Sequence, residues 1–229
     1  MKIYSDQYLQ QKGQWSCFAV DLFKREIAIL QSIQHPEIPC YINSFSYENM
    51  YCLVQEYIPG NTLATIINQG YCYDEEEVKD LILDLLKILS FLHIPTDTRS
   101  VIVHRDLRLS NLILDDNVLF LIDFGLACRM QNSADEALLA KCFHSKTATD
   151  VSSSYRKMRN DFSIQSDLFG VGVVAVDLFS NSVSSDEFIP WEQRIPVSKS
   201  FKSFIRSLLG VEGNFASCIE AIEHLRSLN

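Results

Sequence analysis

The 229-residue chain has a net charge of −9 at neutral pH, which argues against a nucleic-acid-binding surface or a polybasic membrane anchor. With 47% hydrophobic residues it can bury a substantial core, so disorder is not expected, and no apolar run approaches the roughly 20 residues of a bilayer span. Seven scattered cysteines, never spaced as CxxC, and an N-terminus without a signal-like apolar stretch point to reduced thiols in a cytosolic protein.

Asp21–Gln34 is predicted to be a helix, with apolar residues at Leu22, Phe23, Ile27, Leu30 and Ile33 and Asp21 able to cap it; Pro36 and Pro39 stop it. Tyr41–Tyr47 and Met50–Tyr57 alternate as two strands of a hairpin. Pro59, Gly60 and Asn61 then break the chain before a short helix, Thr62–Asn68. Asp74 opens a long helix to about His93, with Glu77 completing a capping box and Val78, Leu81, Ile82, Leu85, Leu89 and Leu92 as its buried stripe. Residues 112–122 read as a hairpin-like stretch, and roughly 130–162 as a polar, Ser/Thr-rich segment. Leu168–Ser180 is apolar nearly all round, as a central helix would be, and Phe201–Leu209 and Ala216–Leu228 are two terminal amphipathic helices.

The strongest signal is His-Arg-Asp-Leu-Arg-Leu-Ser-Asn at 104–111, followed by Asp-Phe-Gly at 123–125. Phosphoryl transfer from ATP needs a carboxylate to orient the attacking hydroxyl and oxygen ligands to hold Mg²⁺ against the phosphates. Asp106 suits the first role, Asn111 and Asp123 the second. Either tripeptide alone is weak, but HRDxxxxN followed by DFG at this spacing is specific.

These residues resemble a protein kinase, and LFKREIAIL, HPEIP and YCLVQEYIPGNTL are most similar to bacterial Ser/Thr-type members; the resemblance covers essentially the whole chain. It implies a bilobal α+β fold across 1–229, with a small β-rich N-lobe and hinge at 1–58 and a mainly helical C-lobe at 59–229. It implies ATP and Mg²⁺ as cofactors and a protein substrate, with neither nucleic acid nor membrane as partner and the oligomeric state open. Within it, Glu26 takes the place of the helical glutamate that pairs with an ATP-orienting lysine. Glu56 and Ile58 lie in the hinge that reads adenine through backbone groups, and Ile113 forms the apolar floor beneath it. Arg108 stands where Ser/Thr members usually carry lysine; it keeps the positive charge but is longer and planar. Some tyrosine kinases share that arginine, so the loop does not fix the acceptor. Asp167 matches the acid that holds the His-Arg-Asp backbone, and it also reads as a helix N-cap.

The pattern departs from the family in two places. No GxGxxG precedes Glu26, and the early lysines are Lys2, Lys12 and Lys24. Lys24 is two residues from Glu26 on one helix and faces elsewhere; Lys12 adjoins Gly13 in a polar stretch. Lys2, in the alternating Met-Lys-Ile-Tyr segment, is the favoured partner for Glu26, with the expectation that the chain starts inside the N-lobe sheet. Between Gly125 and Asp167 there is no Ala-Pro-Glu, while Arg105 stands where relatives answer a phosphate, for which Thr147, Thr149, Ser152, Ser153 and Ser154 are candidate acceptors. The leading reading is an ATP-dependent protein Ser/Thr kinase. The alternatives are a pseudokinase or nucleotide-binding scaffold, and a small-molecule phosphotransferase.

Overall fold

The computed structural model describes residues 1–4, 19–48, 50–143, 153–182 and 189–228. Its N-terminal part is a three-stranded antiparallel sheet, in the order β1 (Lys2–Tyr4), β3 (Met50–Gln55), β2 (Tyr41–Tyr47), against which α1 (Ala19–Leu30) packs. Side chains alternate along a strand, so Lys2 and Tyr4 share one face of β1. Tyr4 pairs across the sheet with Tyr51, and both rings close on Phe23 of α1, with centroids 5.9 and 5.5 Å away. Phe23 and Glu26 are three residues apart and share a helix face. The aromatic cluster thereby sets Glu26 opposite Lys2. Helix α1 begins earlier than the sequence suggests, so Asp21 sits in its first turn rather than capping it.

Residues 56–60 lead into a mainly helical part. There Gly60 passes so close to the chain that a Cβ would run into Leu114 O, which explains the glycine at the crossing. Short strand β4 (Asn61–Thr62) adds to a hairpin of β6 (Leu112–Asp115) and β7 (Val118–Leu121), while β5 (Ile102–Val103) pairs with β8 (Cys128–Arg129). The hairpin turns through Asp116 and Asn117, both at positive φ (45° and 65°), the geometry that matches the twist of two-residue loops.

Thr62 caps α2 (Leu63–Asn68). Helix α3 (Glu75–His93) has the expected capping box: Asp74 accepts from Glu77 N at 2.9 Å and its own N–H donates to the Glu77 carboxylate at 2.9 Å. Leu81 of the predicted stripe is only half-buried, whereas Leu86 and Ile88 join the buried face, because helices pack on it from two sides. These are α6 (Ile164–Asp177), buried almost all round, and α9 (Cys218–Arg226), with α7 (Trp191–Arg194) and α8 (Lys199–Leu208) completing the layer.

Two differences from the sequence reading concern the segment after β8. The stretch read as polar and Ser/Thr-rich, with no element assigned, contains α4 (Ser133–Phe143) and α5 (Ser153–Asn160). Asn132 caps α4, accepting from Ala134 N and Asp135 N at 3.1 Å, and Leu139 is fully buried. Helix α6 starts at Ile164, capped by Ser163, so Asp167 lies inside the helix and is not its N-cap.

Candidate active site

Asp167 is fully buried and organises the 104–111 loop. One carboxylate oxygen accepts from Arg105 N at 2.8 Å; the other accepts from His104 N at 2.8 Å and meets His93 Nε2 at 2.9 Å. Burial alone would raise its pKa, but these donors and the attraction of His93 hold it below the ordinary carboxylate value. The peptide pinned this way puts Arg105 at φ 65°, in left-handed backbone that a surface turn would rarely select for arginine.

A second set of contacts joins that loop to residues 122–125. Asn111 Nδ2 donates to Asp106 O at 2.9 Å and to Asp106 Oδ2 at 3.2 Å. Ile122 N donates to Asn111 O at 3.0 Å, His104 Nε2 lies 3.1 Å from Ile122 O, and the His104 ring meets Phe124 edge-on at 4.9 Å. Asp123, at φ 65° and ψ 78°, accepts from Gly125 N through Oδ1 at 3.1 Å. Aspartate tolerates this left-handed geometry because its side chain can bond locally.

Lys2 reaches across from β1 to this assembly. Its Nζ donates to Glu26 at 2.9 and 3.1 Å and to Asp123 Oδ1, 121 positions along the chain, at 2.6 Å. Burial would lower the lysine pKa, yet Glu26 and Asp123 together raise it, so the ammonium stays charged. The same ammonium holds Asp123 low against its own burial, whereas Glu26 is fully enclosed and burial pushes its carboxyl up. Arg25, next to Glu26, donates to Gly125 O, so α1 grips the 123–125 turn through consecutive residues. Lys24 is exposed on the same helix.

The remaining residues singled out in the sequence border this cluster. Glu56 N donates to Cys40 O at 2.9 Å, extending the β2–β3 pairing to the start of the crossing segment. Among the described residues, Glu56 C=O and Ile58 N–H have no hydrogen-bond partner. Ile113 is half-buried on β6, opposite Thr62 and Phe120. Arg108 is half-buried in extended backbone (φ −160°, ψ 157°) just before the tight turn at 109–111.

Sequence reasoning missed Arg159, which α5 projects onto Asp106: Nη2 lies 2.6 Å and Nε 3.2 Å from Oδ1. The basic residues at 156, 157 and 159, in a stretch read as polar, were the sequence signal for it. The role suggested for Arg105, to answer a phosphate, does not fit the structure. Its side chain is fully buried and donates to Leu126 O at 3.1 Å, Asp161 O at 3.1 Å and Arg159 O, with Phe162 stacked 3.9 Å from the guanidinium. Burial lowers its pKa to about 10, which still leaves it charged. Carbonyls rather than phosphate satisfy it, because the segment after Gly125 folds back over it. Of the candidate phosphate acceptors, Ser153 and Ser154 open α5, whereas Thr147, Thr149 and Ser152, like Lys12, lie outside the described residues.

Residues 2–221 match the model of the protein kinase domain family. The chain is 29% identical over 208 residues to Serine/threonine-protein kinase B of Synechocystis sp., an alignment covering 83% of this chain and 35% of that protein. It is 26% identical over 196 residues to the Probable serine/threonine-protein kinase YbdM of Bacillus subtilis, covering 84% and 66% respectively. It is also 41% identical over 105 residues to the Hormonally up-regulated neu tumor-associated kinase of Mus musculus, covering 45% and 14%. The matched region thus spans about a third of the cyanobacterial relative and a seventh of the mouse one. Among the described residues, no helix is long and apolar enough to cross a membrane.

Proposed function

Since this chain belongs to the protein kinase domain family, we propose that it transfers the γ-phosphate of Mg·ATP to a serine or threonine hydroxyl of a protein substrate. The observation that carries the reading is the convergence of Lys2, Glu26, Asp106, Asn111 and Asp123 from two adjoining loops, one strand and one helix. The similarity to bacterial serine/threonine-protein kinases favours Ser/Thr acceptors.

The donor set fits Mg²⁺. Asp123 spends Oδ1 on Lys2 and Gly125 N, leaving Oδ2; Asn111 turns its amide nitrogen to Asp106, leaving its oxygen. Hard, partly hydrated cations use one or two such oxygens and fill their shell with phosphate and water. Among the described residues no group of three or more His, Cys, Asp or Glu could hold a metal, so the donor set does not resemble a zinc cage. Bound Mg·ATP would supply the transferable phosphoryl group and neutralise its charge.

The chain's own residues do the rest. Asp106 accepts from and orients the acceptor hydroxyl, and Asn111 fixes its carboxylate. Lys2 is kept charged by Glu26 and offers its ammonium to phosphate oxygens, while Arg108 adds positive charge beside the transfer site. Glu56 C=O and Ile58 N–H read the adenine edge over Ile113. A second reading, a nucleotide-binding scaffold, draws support from the Arg159–Asp106 pair, which occupies the proposed base.

Thermal melts and phosphate-transfer assays separate the two. ATP should raise the melting temperature only with Mg²⁺ present, and Asp123→Ala should abolish the shift. Asp106→Asn should keep the shift and lower turnover by roughly 10²–10⁴-fold. Nucleotide binding with no transfer by the wild type to itself or to generic protein substrates would establish the scaffold instead.

A further inference from the structure

Asp106 has both carboxylate oxygens engaged. Arg159 covers Oδ1 through Nη2 at 2.6 Å and Nε at 3.2 Å, and Asn111 Nδ2 sits 3.2 Å from Oδ2. An acceptor hydroxyl must come within about 2.6–3.2 Å of such an oxygen to hand over its proton. Nη2 and Nε together fill the acceptor sites of Oδ1, so a hydroxyl that hands its proton to this oxygen has to take the guanidinium's place.

The backbone that presents Arg159 is held firmly. Arg105 donates to Arg159 O, Ser166 Oγ donates to Met158 O at 2.7 Å, and the Met158 side chain is buried. What can change is the partner of the guanidinium. Side-chain exposures of 14% for Arg159 and 10% for Asp106 mean that neither charge is well hydrated, so an Arg159 stripped of Asp106 calls for another anion. Helix α5 around it carries Arg156, Lys157 and Arg159 with no acidic residue, in a chain whose net charge is −9. The α5 sequence is therefore basic in a chain of the opposite sign, and its Arg159 reaches the proposed base.

An acceptor with a carboxylate next to its hydroxyl meets both demands: the hydroxyl goes to Asp106 and the carboxylate to Arg159. Resting on the kinase reading of Asp106, we propose that Arg159 is a specificity-determining residue, closing the acceptor site and opening it to serine or threonine in an acidic peptide.

Two peptides test this, identical except that the serine is flanked by glutamates in one and by glutamines in the other. The wild type should favour the acidic peptide in kcat/KM by about tenfold or more, the scale of one charge-assisted hydrogen bond. Arg159→Gln should bring the two within about twofold, mainly through the peptide KM, with the KM for ATP little changed. Arg159→Lys should keep most of the preference, and Arg159→Glu should reverse it toward a lysine-flanked peptide. Fluorescence anisotropy of the labelled peptides, with a non-hydrolysable ATP analogue present, should give the same order of affinity. Transfer without charge preference, or a preference that survives Arg159→Gln, overturns the proposal and leaves the kinase reading standing. The affinity order without transfer in any variant upholds the role of Arg159 and defeats the kinase reading. Failure of both peptides to bind overturns the proposal outright.

Discussion

Gly125 passes so close to Lys2 that a Cβ at position 125 would lie 2.6 Å from Nζ and 3.0 Å from Asp123 Oδ1. The atoms it would meet are the mobile end of a lysine and one carboxylate oxygen, so the fold can yield where the ion cluster cannot. Gly125→Ala should therefore cost less than about 1 kcal/mol in urea unfolding while removing most of the Mg·ATP-induced rise in melting temperature. A large loss of stability with nucleotide binding intact would show that the contact matters for packing instead.

Lys2→Met should strand Glu26, whose side chain is fully buried, beside Asp123. The expected cost at pH 8 is about 1–3 kcal/mol, below the range for a fully buried pair because Lys2 is one-third exposed. Burial already pushes the Glu26 carboxyl up, and losing the ammonium pushes it further. A carboxyl whose folded pKa is raised penalises the fold while ionised, and that penalty disappears as the pH falls through the folded pKa. The deficit against wild type should shrink in urea titrations between pH 8 and pH 5, and Lys24→Met should show none.

Asp167→Asn should behave in the opposite way. Its folded pKa is depressed, so its stabilisation is complete above the unfolded value of about 3.9 and is lost only as the pH falls through the folded one. The asparagine would also aim an N–H₂ group at the amides of His104 and Arg105 or at His93. A deficit of about 3 kcal/mol, constant from pH 8 to pH 5 and narrowing only below about pH 4, is expected. The pH dependence of the urea midpoint checks it.

Arg105→Gln should lose about 2–4 kcal/mol, because the carbonyls of Leu126, Arg159 and Asp161 would lose their shared donor. The loss should be the same before and after phosphatase treatment, since the guanidinium is turned inward. A deficit that appears only in phosphorylated protein would restore the phosphate-binding role.

Thiol reactivity should follow burial. Burial pushes the Cys128 thiol up to about 12 and raises Cys218 as well, and Cys52 is also enclosed. Cys40 and Cys72 are exposed, with Cys40 raised by partial burial and by Glu56. At pH 8, among these five cysteines, iodoacetamide should label Cys72 first and Cys40 more slowly, and should reach Cys52, Cys128 and Cys218 only on unfolding, as mass mapping of the peptides would show.

The sequence by itself determined the elements whose signals are local. The capping box at Asp74 and Glu77, the apolar stripe behind it, the β2–β3 alternation and the hairpin at 112–122 each depend on neighbours within a few residues. Tertiary structure decided the contacts that join distant segments. The resemblance favoured Lys2 as the partner of Glu26, but its bond to Asp123 and the Tyr4–Phe23–Tyr51 cluster that fixes β1 on α1 came from the fold, because nothing in Met-Lys-Ile-Tyr states that packing. The fold also turned Arg105 inward and Arg159 onto Asp106, since both depend on how the segment after Gly125 folds back, and an arginine in a polar run reads the same whether solvated or buried. Periodicity and capping record which way one element faces. The partner across a 50- or 120-residue separation is fixed only when burial makes every charge find its counterion.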